Sequence, residues 1–188
     1  MESRRSFVKK TVLGSAALMS PFTDMNALNS GLKSALPKIS LAQWSLNRAF
    51  FKGELNAIDF PDIAKNSYGI NAVEYVNAFY KEYGEDEKFW NQLKRRANDA
   101  GVNNLLIMVD DEGELGNPDD KERTRAIENH YKWIEAAKLL GCHSIRINAF
   151  GQGNKSTLMK TLADGLGRLC DYGAKENINV LIENHGLH

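Results

Sequence analysis

The chain has 188 residues, 43% hydrophobic and 26% charged, which is the balance of an ordinary globular protein. Lysine plus arginine and aspartate plus glutamate each number 24, so the formal net charge is zero. With no basic surplus, composition gives no electrostatic case for DNA, RNA or an anionic membrane as a partner. The two cysteines, Cys142 and Cys170, lack CxxC spacing and read as two buried free thiols.

In chain order, residues 1–35 come first and read as a leader and linker rather than as part of the fold. Ser3-Arg4-Arg5-Ser6-Phe7-Val8-Lys9-Lys10 precedes a weakly apolar stretch from Thr11 to about Phe22. That stretch is shorter than the roughly 20 apolar residues of a membrane span and suits a signal-peptide core. The arginine pair, the aromatic and the lysines resemble a twin-arginine export signal, which implies a periplasmic protein that crosses the membrane folded. No cysteine follows the stretch, so no lipid anchor is expected.

From about residue 36 to 188 one unit recurs: an apolar run, turn residues, then an amphipathic helix ending near a glycine. The runs are Ile39–Ser45, Ala72–Val76, Asn104–Val109, Ser144–Ala149 and Ile178–Ile182, spaced roughly 30 to 40 residues apart, the length of a βα unit. Leu105-Leu106-Ile107-Met108-Val109 is continuously apolar, as strands buried on both faces of a parallel sheet are. Between the runs, Phe89, Leu93 and Ala97 form one helical stripe. Ile127, Tyr131, Ile134 and Lys138 follow a second, widened by Ala137 and Leu140, and Leu158, Leu162, Leu166 and Leu169 form a third. Five strands alternating with four helices predict an α/β fold.

Gln43-Trp44-Ser45 stands where a dinucleotide-binding fold would carry its glycine-rich loop. Polar residues instead gather at the C-terminal end of every run: Gln43 and Ser45, Glu74 and Asn77, Asp110 and Asp111, Arg146 and Asn148, Glu183 and Asn184. That is where a (β/α)8 barrel builds its active site, so the barrel is favoured. Such barrels take about 250 residues, so five runs read as the front portion of a barrel, truncated after the fifth strand. Its two edge strands would leave association of copies, or a homo-oligomer, open.

Three segments carry a family resemblance. Gly69-Ile70-Asn71-Ala72-Val73-Glu74-Tyr75 is similar to the second strand of the xylose-isomerase-like (AP endonuclease family 2) barrels. Gly141-Cys142-His143-Ser144-Ile145-Arg146-Ile147-Asn148 is similar to their fourth, and Asn179-Val180-Leu181-Ile182-Glu183-Asn184-His185-Gly186 to their fifth. The resemblance implies a sugar isomerase or epimerase holding one divalent ion (Mn2+, Mg2+ or Co2+) at the barrel mouth. It makes Glu183 the first metal ligand and a catalytic acid/base for proton transfer through an enediolate, with further ligands on later strands. The substrate implied is a small carbohydrate or related polyol.

Other residues stay open between two roles. Trp44 either lines the sugar pocket or belongs to the core, and Glu74 either contacts substrate or bonds at the pocket floor. Arg146 either grips substrate oxygens or pairs with Glu74 or Glu183. Asn148 sits with Arg146 on the strand end. His185, two residues beyond Glu183, faces the same way in an extended chain. His130 and His143 read as structural, and Asp110-Asp111-Glu112 as a solvated loop. An exported sugar-binding barrel without catalysis and a lyase or hydrolase of oxidised sugars remain alternatives. The DNA-repair branch is disfavoured, because the second and third strand ends carry no histidine.

Overall fold

The computed structural model describes residues 38–183 and His185. The export motif and linker of residues 1–35 therefore lie outside the described residues, as do Asn184 and Gly186. Five parallel strands form one sheet in sequential order: β1 (Leu41–Ala42), β2 (Ala72–Val76), β3 (Asn103–Val109), β4 (Ser144–Asn148) and β5 (Asn179–Glu183). Five α-helices accompany them: α1 (Asn47–Phe51), α2 (Phe60–Tyr68), α3 (Glu87–Ala100), α4 (Asp120–Leu140) and α5 (Lys155–Lys175). Sequential parallel order with a helical crossover between successive strands, two short helices after β1 and one long helix in each later crossover, is the connectivity of an α/β barrel. With β1 and β5 as its edges, the described sheet is a partial barrel.

The helices start and stop where local chemistry dictates. Asp86 and Asp119 each accept two backbone N–H bonds at the first turns of α3 and α4, and Asn154 accepts one from Thr157. Gly101 and Gly141 end α3 and α4 with φ of 66° and 81°, a conformation costly for other residues. Each releases the chain directly into the next strand. The end of α5 departs from this pattern: Asn177 takes the left-handed turn, with φ 58°.

The core lies between sheet and helices. Val73, Tyr75, Ile107, Val109, Ile145 and Ile147 point to the helix side, and all are buried. They meet Trp90 and Leu93 of α3 and Ile127, Trp133, Ile134 and Leu140 of α4. Each such side chain contributes about 1.5–3 kcal/mol on burial, so this layer holds the helices to the sheet. In α3 the buried stripe is led by Trp90, with Phe89 only partly covered. In α5 only Leu169 of the leucine stripe is buried; Leu158, Leu162 and Leu166 are partly exposed, because among the described residues α5 is flanked on one side only.

Two expectations need correction. The first strand is two residues long, and Gln43–Leu46 is a 3-10 helix. Gln43 turns its side chain into the core, where Oε1 accepts the Val76 N–H at 3.0 Å and Nε2 donates to the Tyr80 hydroxyl at 2.9 Å. The bond to Val76 stands where a longer β1 would have continued its ladder with β2. The thiols also differ: Cys142 is buried, whereas Cys170 is exposed on α5, and both are free.

Candidate active site at the strand ends

The register stacks side chains of the concave face in levels. Ala42, Glu74, Leu106, Ser144 and Asn179 are register partners, and Val76, Met108, Arg146 and Leu181 are partners one level nearer the strand ends. Asn148 and Glu183 are paired at the top. Asp110, two residues past Met108, joins that top level. Its position is set by Asn77, whose fully buried side chain accepts the Asp110 N–H at 2.9 Å and donates to its carbonyl at 2.8 Å. One amide thus caps the end of β3 and satisfies both backbone groups there.

Arg146 is the hub. Its Nη1 lies 2.5 Å from Glu183 Oε2 and 3.6 Å from Asp110 Oδ1, and it donates to Asn148 Oδ1 at 3.0 Å. Asn148 in turn donates to Asp110 Oδ1 at 2.7 Å. The Arg146 side chain is only 18% exposed, against 43% for Glu183. A guanidinium so enclosed, with its planar fork of donors, fixes the direction of the carboxylates it meets. Of the two partners open for Arg146, the structure brings Glu183 to it; Glu74 accepts a bond from the Ser40 hydroxyl at 2.6 Å.

These groups border two adjoining cavities of about 380 and 420 Å3, which share Trp44, Met108, Arg146 and Glu183. Asp110, Asn148 and His185 line the first, Glu74 the second. Trp44 is 49% exposed and packs against Phe51 and Phe79 at centroid distances of 6.1 and 6.4 Å, so one wall is aromatic. Opposite, His185 meets Phe150 edge-on at 5.7 Å. An apolar wall with a few converging polar groups is the usual make-up of a small-molecule site. A larger crevice of about 900 Å3 between α3 and α4 is rimmed by solvated Glu and Lys side chains on the outside of the helix layer, away from the strand ends.

All six residues singled out in the sequence, Trp44, Glu74, Arg146, Asn148, Glu183 and His185, therefore border one connected region. Asp110, read from the sequence as part of a solvated loop, instead lines the cavity, and so do Phe51 and Phe150, which the sequence did not single out. His130 is structural as expected: it is buried, its Nδ1 sits 2.7 Å from the Ala126 carbonyl, and desolvation holds its pKa below the usual imidazole range. His143 is exposed, with Nδ1 beside the Ser144 hydroxyl. For a metal, the donor type fits and the number does not. Glu183 offers a hard carboxylate oxygen at the mouth, but among the described residues no three His, Cys, Asp or Glu side chains gather closely enough to hold an ion.

The sequence model of the xylose isomerase-like TIM-barrel family matches residues 62–188, which is most of the chain. The chain belongs to this family. Among solved structures, D-psicose 3-epimerase from Clostridium cellulolyticum H10, determined with D-tagatose, aligns with TM-score 0.61 at 14% identity, covering 77% of this chain and 51% of that one. The E. coli protein YcjR, a 3-keto-D-glucoside 4-epimerase, aligns with TM-score 0.56 at 15% identity, covering 68% and 50%. The IOLI protein, determined with a bound zinc atom, aligns with TM-score 0.61 at 15% identity, covering 78% and 51%. Identities this low speak for the fold. The chain spans about half the length of the solved structures it matches. No curated protein matches it in sequence.

Proposed function

We propose that this family member is a metal-dependent sugar isomerase or epimerase, and that Glu183 is its acid/base and one of its metal ligands. The observation that carries the reading is the position of Glu183. It closes β5 in register with Asn148, is aimed by Arg146, and borders a pocket with an aromatic wall. Glu183 Oε2 is held by Arg146, and Oε1 has no protein partner among the described residues. A carboxylate so placed can take a proton from the carbon beside a sugar carbonyl and return it. Trp44 supports the apolar face of the sugar, while Asn148, His185 and Glu74 supply hydrogen bonds to hydroxyls. Mn2+, Mg2+ or Co2+ would be held in part by Glu183, whose carboxylate oxygen is the hard donor such ions take. What the ion supplies is Lewis acidity toward a carbonyl oxygen.

The test is deuterium exchange. The full-length protein, incubated in D2O with Mn2+ and a panel of ketoses, is expected to place deuterium on the carbon beside the carbonyl, and a chelator to stop it. Binding of a sugar without exchange would favour the non-catalytic sugar-binding barrel instead.

The same proposal places the protein in the periplasm, on the strength of Arg4 and Arg5 before the apolar stretch. Lysine lacks the planar guanidinium, so replacing both arginines by lysine is expected to leave the precursor in the cytoplasm. Normal periplasmic accumulation of that variant would refute twin-arginine export.

A further inference from the structure

Asp110 is the feature of the pocket that the proposed chemistry leaves unused. Its backbone is clamped on both sides by the buried Asn77 amide, and its Oδ1 is pinned by Asn148 at 2.7 Å with Arg146 at 3.6 Å. Its Oδ2 has no partner among the described residues, although the side chain is only 29% exposed and lines the cavity. A carboxylate oxygen is an acceptor only, so what it takes must be a donor. The charges around it narrow the choice. The described lining carries one cation, Arg146, against three carboxylates, Asp110, Asp111 and Glu183. Arg146 is already committed to two of them, and the nearby Lys81 faces Asp111 at 3.4 Å. An anionic group brought against Oδ2 would meet a like charge whether or not an ion sits at Glu183, whereas a hydroxyl would find a fixed acceptor.

We infer that Asp110 is a specificity-determining residue that accepts a hydrogen bond from a substrate hydroxyl through Oδ2. The part of the sugar lying between Trp44 and Asp110 is accordingly uncharged and hydroxylated, without a phosphate or carboxylate. The inference rests on the sugar-enzyme reading and deepens it.

The test is sugar binding to the full-length protein by tryptophan fluorescence, since Trp44 lines the same pocket, with D-tagatose and D-fructose 6-phosphate as probes. The wild type is expected to bind D-tagatose the tighter. Asp110→Ala and Asp110→Asn are each expected to weaken it about tenfold or more, the scale of a lost hydrogen bond to a charged group. The Asn variant keeps an oxygen for Asn148, so it folds like wild type and decides the matter if the Ala variant does not fold. Wild-type affinity for D-tagatose in Asp110→Asn, or a wild type that prefers the phosphate ester, overturns the inference and leaves the epimerase reading standing. A wild type that binds neither probe overturns both.

Discussion

Three consecutive carboxylates, Asp110-Asp111-Glu112, go to three different places. Asp110 enters the pocket, Asp111 turns with φ 62° toward Lys81 at the surface, and Glu112 runs under the helices to accept the Trp133 indole N–H at 2.7 Å. A charge run normally reads as a solvated loop, and nothing in its composition separates the three; the left-handed residue and the Asn77 clamp do. Glu183 was legible because it closes a continuous apolar run. The cysteines give a residue-scale prediction. Burial pushes the Cys142 thiol up to about 12, while the exposed Cys170 is raised less far by its partial desolvation. The thiolate is the reacting form, so Cys170 is expected to react first with a disulfide reagent and Cys142 only on unfolding. Two thiols reacting at one rate in the native protein would contradict the packing around Cys142. For His130 the sign is as follows. Its folded-state pKa is depressed, so its neutral form is favoured and stability is full above about 6.5. As pH falls below that value the unfolded chain gains a proton that the folded chain resists, and stability drops. His130→Gln should flatten that acid limb of the unfolding midpoint against pH, and an unchanged slope would remove His130 as its cause.

At the scale of elements, the long strands and helices were readable because period and punctuation agree: apolar runs for strands, helical stripes stopped by glycine. The first strand was misjudged because Ile39–Ser45 looks like its neighbours, and only the burial of Gln43 against β2 ends it early. The packing of α5 was likewise hidden. A Cβ on Gly165 would lie 2.0 Å from the Leu115 carbonyl oxygen, so this helix sits on the β3–α4 loop through a glycine. Thr161 adds a bond to the Gly116 carbonyl at 2.7 Å, and Gly116 donates to the Phe150 carbonyl at 2.9 Å. The contact therefore reaches the pocket rim. Gly167, two residues on, is exposed with nothing within 4 Å. Gly165→Ala is expected to destabilise the fold by about 1–3 kcal/mol through overpacking. Gly167→Ala should stabilise it by up to about 1 kcal/mol through helix propensity. Denaturant midpoints of the two variants check this, and equal shifts would contradict the observed seat of α5.

At the scale of the whole molecule, strands in sequential order turn their polar ends to one face, and that face was identifiable from the sequence because every apolar run ends in polar residues. What the sequence left open was which of them meet, and the register decides it: Asn148 beside Glu183, Arg146 one level below, Asp110 clamped across from them. On the reading proposed above, this convergence is a catalytic centre with Glu183 at its heart. The most direct measurement compares wild type and Glu183→Gln in the full-length protein for Mn2+ affinity and ketose epimerisation. The substitution keeps the size and removes both charge and basicity. Weaker metal binding is expected, with turnover reduced by at least about a hundredfold, the low end for a lost general base. A Gln variant that binds Mn2+ as tightly and turns over as fast would contradict it.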